Sequence, residues 1–325
     1  MSTVMPSAVF ARNTLTALLQ IQHPVLLAPM AGISGGRLAA AVSRAGGLGF
    51  VGAGYGDREW LREELAQCEG QPVGVGFITW ALRAQPDLLR QALDARPKAV
   101  FLSFGPIGEL AQPILAAGAV LIAQVQTVRQ AREAVAAGAQ VIVAQGGEAG
   151  GHGGVRGTLA LVPATVDAVG PVPVVAAGGI ADGRGLAAAL MLGASGVVCG
   201  TAFYAAVESL AHATAKQRLV DASGDDTLKS PVFDMARGLD WPEGPWSLRT
   251  LRNRFTERWS EDVPALRRAL DGQMRGYQQA RIEGNFDIAA LIAGEAVDMV
   301  QSIKPASQIV QSLVDQCDAL LTRAR

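Results

Sequence analysis

The chain has 325 residues, of which 50% are apolar and 18% charged, and its formal net charge is −1. That is enough apolar sequence for one large core or two ordinary ones, and it excludes a disordered chain. The 28 basic residues are dispersed, so the basic footprint of a nucleic-acid binder is missing.

Strands are expected at VLLAPM (25–30), GFVGA (49–53), VGVGFI (73–78), AVFLSF (99–104), VLIAQV (120–125), VIVAQ (141–145), VPVVAAG (172–178) and GVVCGT (196–201). These runs are almost continuously apolar rather than alternating. That pattern marks strands covered on both faces, as in parallel sheets. Helical stretches separate them, so the expected fold is α/β, a (β/α)8 TIM barrel. A weak repeat agrees. In ILAAGAVLIAQ (114–124), AVAAGAQVIVAQ (134–145) and AALMLGASGVVCG (188–200) a helix ends, Gly118, Gly138 or Gly193 supplies a left-handed cap, and a strand follows. Residues 186–207 have no charge over a length that would span a bilayer. Gly193, Ser195, Gly196 and Gly200 divide that run into a helix, a turn and a buried strand, so no membrane partner is expected.

Composition shifts after about residue 212, where most of the Trp and many charges gather and no convincing strand is visible. Residues 231–246 read as irregular, 256–282 and 287–300 as helices, and 305–324 as an amphipathic helix. RTLRNRFTERW (249–259) reads as a solvated helix face. The expected organisation is a ligand-binding barrel over 1–212, completed by a C-terminal helix in 283–325. A small, mainly helical domain, 213–282, lies over the barrel mouth.

Cys68, Cys199 and Cys317 lie far apart, without CxxC or Cys/His metal spacing. They point to a reduced, cytoplasmic protein without disulfides. Cys199, inside an apolar strand, reads as a small buried thiol. The N-terminus lacks a basic segment followed by a long apolar one, so no secretory signal is expected.

Active sites of barrels are built at the C-terminal ends of the strands. AAGGIADGRG (176–185) follows the seventh strand and opens a helix, and the eighth ends in CGTAF (199–203). Glycine there lets backbone N–H groups approach an anion, and these two loops are the usual phosphate site of a barrel. APMAGIS (28–34) ends the first strand and offers Ala28 and Met30 to a flat ring, although Met30 alone reads more readily as core. Gln124 and Gln145 end the fifth and sixth strands. A buried amide must find partners, in neighbouring backbone or in the polar edge of a heterocycle.

AQGGEAGGHGG (144–154) leaves the sixth strand with six glycines and one histidine. His23 precedes Pro24 at a strand entrance and reads as structural. His212 sits in a helical stretch near Lys216 and reads as exposed. His152 alone falls on the predicted active face, where an imidazole accepts a proton or pairs with an anion near neutral pH. Glu148 either positions this loop or is a solvated capping carboxylate. No Ser-His-Asp order, paired-carboxylate signature or metal cluster competes.

Together, APMAGIS, AAAVSRAGGLGFVGAG (39–54), AQGGEAGGHGG and residues 172–203 resemble the nitronate monooxygenase family, formerly the 2-nitropropane dioxygenases. Weaker likeness runs through LRNRF (251–255) and GEAV (294–297), so the resemblance covers nearly the whole chain. It implies an FMN-binding barrel with a smaller helical domain. It places the FMN phosphate near Gly178, Gly179, Gly200 and Thr201. The isoalloxazine falls near Ala28, Met30, Gln124 and Gln145, with Gly150 and Gly151 close by. His152 matches the family's active-site histidine, which holds the nitronate or acts as base. The implied reaction is oxidation of an alkyl nitronate, such as propionate 3-nitronate, by O2 to a carbonyl compound and nitrite. The anionic substrate gives an electron to FMN, which passes it to oxygen. A homodimer is left open.

The pattern departs from the family at two places. Many members carry Asn on the third strand where this chain has Gly76, and the basic residue that some place near the flavin is Gln124 here. The same scaffold serves two rivals that use NAD(P)H, a flavin-dependent enoyl-ACP reductase and an NADH:quinone oxidoreductase. From a different class comes an FMN-binding protein without turnover, which has no need of a histidine at the flavin face.

Overall fold

The structure, a computed structural model, describes residues 13–242, 244 and 246–323. The expectation of no secretory signal concerns residues 1–12, which lie outside the described residues. Eight parallel strands form the central sheet: β1 (Val25–Leu27), β2 (Phe50–Gly52), β3 (Gly74–Ile78), β4 (Ala99–Ser103), β5 (Val120–Val125), β6 (Val141–Gln145), β8 (Val174–Ala177) and β9 (Gly196–Cys199). β7 (Gly151–Gly153) belongs to a second sheet. Around the barrel the order is β1-β9-β8-β6-β5-β4-β3-β2, and a parallel bridge between Leu26 and Leu48 closes the ring. With helices between the strands this is a (β/α)8 barrel. Every expected strand is present, several of them trimmed at the C-terminal end. β1 stops before Pro29, which has no N–H for the ladder.

Alternation along the strands builds two apolar layers. Leu26, Phe50, Phe101, Ile122, Val143, Val175 and Val198 fill the interior, while Val51, Leu102, Leu121, Ile142, Ala176 and Val197 pack outward under the helices. Each fully buried Leu or Phe contributes about 1.5–3 kcal/mol. Phe50 meets Phe101 edge to face at 5.4 Å, and Gly74 makes the room, since any Cβ there would overlap the Phe50 ring. Gly118, Gly138 and Gly193 have φ of +78°, +100° and +89°, the left-handed positions expected between helix and strand. Asp182 caps the helix Gly183–Met191 by accepting from the Arg184 and Gly185 amides. The uncharged run 186–207 resolves into that helix, a turn and β9. Among the described residues no helix is long and apolar enough to cross a membrane. The helix Ala306–Arg323 docks along the helix Gly183–Met191, with Leu313, Val314 and Cys317 joining the barrel core.

A second core gathers Tyr204, Leu219, Phe233, Leu248, Phe255, Trp259 and Tyr277. Four details differ from expectation here. First, β10 (Thr227–Ser230) and β11 (Ser247–Leu251) pair antiparallel, and β11 also pairs with β7. β10 reads TLKS, too short and polar for a strand signal, and its partner is remote in sequence. Second, residues 256–282 are interrupted helices, Arg254–Trp259, Val263–Arg268 and Leu270–Glu283, the middle one capped by Asp262. Third, residues 287–300 form no α-helix, only the 3-10 turn Glu295–Met299; the Gly294 and Glu295 amides donate to the Thr201 hydroxyl and the Glu148 carbonyl, both at 3.0 Å, instead of to a preceding helical turn. Fourth, residues 231–246 include the helix Val232–Ala236; residues 243 and 245 of that stretch, like residue 324, lie outside the described residues.

Candidate active site

Inward-facing positions at the C-terminal strand ends carry Ala28, Gly76, Ser103, Gln124, Gln145, Ala177 and Gly200, and all of them line one cavity. Five of the seven are Ala, Gly or Ser, so the barrel is roofed by a low surface. Above it the cavity has an empty volume of about 1250 Å³ and opens to solvent. Gly76 cannot be larger in this backbone, because a Cβ there would overlap the Pro29 ring. Pro29 thus takes the room that an Asn side chain at this position would need.

At one end of this surface the chain is bare. Gly178 and Gly179 have φ of +100° and +70°, and their amides donate to no described residue. A Cβ on Gly178 would lie 2.9 Å from the Gly146 carbonyl oxygen. Gly200 and Thr201 open the short helix Thr201–Tyr204 beside them, and the Thr201 hydroxyl accepts from the Gly294 amide at 3.0 Å. Free amides in successive tight turns make an anion-binding concavity.

The glycine–histidine segment is held from both sides. The Glu148 carboxylate accepts from the Thr158 amide (2.8 Å) and hydroxyl (2.9 Å), so Glu148 positions the loop. Residues 151–153 are strand β7 rather than free loop: Gly151, His152 and Gly153 stand opposite Arg249, Leu248 and Ser247 of β11. Glycine disfavours strands, and the partner lies far along the chain, so the sequence pattern concealed this pairing. Arg249 is not part of a solvated helix face. It is largely buried, donates to the Gly147 carbonyl at 3.1 Å and pairs with Glu295 at 2.7 Å.

Gln145 is buried and mostly engaged. Its carbonyl accepts from Gln126 (2.8 Å) and Gln124 (3.2 Å), and its amide donates to the His152 carbonyl (3.0 Å). Gln145 therefore anchors the histidine backbone, while the Gln124 carbonyl has no described partner and faces the cavity.

His152 Nε2 lies 2.8 Å from Asp234 Oδ2. The other ring nitrogen, Nδ1, has no partner among the described residues and is not sealed in the core. Burial lowers the imidazole pKa below its usual 6.5; the hydrogen bond and charge of Asp234 oppose this, and Arg237 adds to it. Aromatic rings close over the histidine. Trp241 stacks on it, and Phe104 contacts both Trp241 (5.1 Å) and Trp246 (5.9 Å). Trp80 and Tyr55 also meet Trp241, edge-on at 5.5 and 6.4 Å. Phe104 has φ +63°, a strain of about 1–3 kcal/mol of the kind that gathers at functional sites.

All eleven residues singled out in the sequence meet at this cavity: His152, Ala28, Met30, Gln124, Gln145, Gly150, Gly151, Gly178, Gly179, Gly200 and Thr201. Phe77 and Tyr204 line it too, Trp80 reaches it through Trp241, and Phe203 lies in the barrel core instead. His23 is buried away from it, and His212 is exposed at a helix N-cap. Burial pushes the Cys199 thiol up to about 12, so it is inert. The sequence reading missed Asp234, Arg237 and Trp241. The one available signal was an acid inside the apolar VFDMA, where a buried carboxylate must have a partner.

The family model described as Nitronate monooxygenase matches residues 12–78 and 81–316. A nitronate monooxygenase of Metarhizium robertsii is 37% identical, over 92% of this chain and 92% of its own. FabK from Thermotoga maritima has a TM-score of 0.85 at 32% identity, covering 97% of this chain and 98% of its own. A nitroalkane oxidase from Streptomyces ansochromogenes has a TM-score of 0.81 at 30% identity, covering 96% and 99%.

Proposed function

The chain belongs to the nitronate monooxygenase family, and from that premise we propose that it is an FMN-dependent enzyme oxidising alkyl nitronates with O2 to a carbonyl compound and nitrite. The chain is a flavin-dependent oxidoreductase of nitro compounds. The observation that carries the finer reading is His152, with one ring nitrogen tied to Asp234 and the other left to the cavity.

The residues present fit FMN. The low surface at Ala28, Gly76, Ala177 and Gly200 leaves space for a planar ring, and the unpaired amides of Gly178 and Gly179 suit a phosphate. In this reading Gly178, Gly179, Gly200 and Thr201 hold the phosphate. Ala28, Met30, Gln124 and Gln145 border the ring, with Gly150 and Gly151 beside it. The barrel with its C-terminal helix carries the cofactor, and residues 213–282 cover it. When bound, the flavin supplies the electron transfer from substrate to oxygen.

The protein's own part is to bind the anion and handle one proton. At neutral pH the imidazole is neutral, since burial lowers its pKa, and Nδ1 offers a lone pair. A nitroalkane that loses its α proton to Nδ1 becomes a nitronate beside an imidazolium. A nitronate that binds to protonated His152 forms the same pair. Asp234 balances the imidazolium charge, and Trp241, Phe104 and Tyr55 keep water from the anion.

The likeness to FabK favours a second reading, a flavin-dependent NAD(P)H reductase on the same barrel. Anaerobic addition of propionate 3-nitronate to one sample of purified protein and NADH to another separates the two. Bleaching of the flavin band by the nitronate alone supports the first reading; rapid bleaching by NADH alone supports the second and overturns the first.

A further inference from the structure

We infer that Asp234 is a positioning residue, which holds His152 in the tautomer protonated on Nε2 and thereby turns the Nδ1 lone pair toward the cavity. As a part in turnover, this rests on the proton-handling reading of His152; as a statement about the tautomer, it stands alone.

The chemistry of the pair dictates the tautomer. An ionised carboxylate only accepts, so at 2.8 Å the imidazole nitrogen facing Asp234 Oδ2 must carry the hydrogen. The imidazole is the main partner of this carboxylate. Among the described residues Asp234 Oδ1 is buried with no hydrogen bond, and the nearest Arg237 nitrogen is 3.7 Å away, beyond hydrogen-bond range. A carboxylate only 12% exposed with a single hydrogen bond destabilises the fold. A site built for stability alone would have satisfied both oxygens.

The other degrees of freedom of His152 are already fixed. Gln145 and β11 hold its backbone, and the Trp241 stack holds its ring plane. What remains is which nitrogen bears the proton, and Asp234 is the group placed to decide it. Asp234 arrives from the helix Val232–Ala236, outside the barrel. The other charged or titratable groups that act on this pair are Arg237, Tyr55 and Tyr277.

The test is nitrogen NMR of flavin-loaded protein labelled with 15N-histidine. The chain has three histidines, and His152→Asn identifies the signal. At pH 8 the wild type is expected to show His152 protonated on Nε2 with Nδ1 bare. Asp234→Ala and Asp234→Asn are expected to lose that preference, and Asp234→Glu to recover much of it. A wild-type His152 protonated on Nδ1 would overturn the inference even if no variant folds. So would an unchanged tautomer in Asp234→Ala.

A kinetic arm separates positioning from mere packing. Asp234→Asn is expected to lower kcat about 10- to 100-fold and to move the pH midpoint assigned to His152 downward, with Asp234→Glu restoring part of both. An equal loss at every pH, with the midpoint unmoved, overturns the positioning role. If the wild type turns over no nitronate, the functional reading fails while the NMR result still decides the role of Asp234.

Discussion

The imidazole of His152 lies flat on the indole of Trp241, ring centroids 3.4 Å apart and planes 16° apart. The stack removes water from one face of the imidazole, and loss of water is the largest cause lowering its pKa; Asp234 pulls the other way. Two substitutions should therefore move the His152 pKa in opposite directions. Trp241→Ala admits water and raises it toward 6.5, whereas Asp234→Asn removes a carboxylate and lowers it further. Titration of the His152 ring signals by NMR reads both, and shifts of the same sign would refute this account of the site.

His152→Ala and His152→Asn should cut nitronate turnover by about 10²-fold or more, the usual size of a lost proton-transfer group. Flavin content should stay at the wild-type level, because the bare turns at Gly178 and Gly200 lie on other strands. Turnover by either variant at the wild-type rate would remove His152 from the chemistry.

The two protonation forms of a substrate should give mirror-image pH profiles. A nitronate needs His152 protonated in the free enzyme, so its kcat/KM falls as pH rises through the folded pKa, which lies below 6.5. The corresponding nitroalkane needs His152 neutral, so its kcat/KM rises through the same midpoint. Initial rates with 3-nitropropionate and freshly prepared propionate 3-nitronate make the comparison. Parallel profiles would mean that His152 does not exchange a proton with the substrate.

Much of this site was legible because it sits on strand ends. A run such as VLIAQV declares its strand, and the alternation of a strand then says that Gln124 shares the barrel interior with Ile122. The same reasoning places Ala28, Gln145 and Gly200. What stayed hidden depends on contacts that local pattern does not encode. Asp234 reaches His152 from a helix 82 residues further on. β7 becomes a strand only because β11 pairs with its three residues, two of them glycine. Trp241 follows a turn in a stretch with no periodicity, so nothing in its neighbours says which ring it covers.

Gly179→Val should purify with little flavin, and the reason is more specific than obstruction. An added Cβ at Gly179 has only ordinary contacts, 3.4 Å to the Glu148 Cβ, so Ala fits sterically. The cost lies in φ of +70°, about 1–2 kcal/mol for Ala and more for a β-branched residue, whose methyls crowd the same turn. Gly179→Ala should therefore keep its fold and bind flavin more weakly, while Gly179→Val should re-form the turn and misplace the amides that face the phosphate. Flavin absorbance per protein and the melting temperature of the flavin-free forms separate these effects. Full flavin content in Gly179→Val would remove this turn from the cofactor site; a graded loss from Gly through Ala to Val, with the flavin-free Ala variant melting near wild type, would locate the phosphate there.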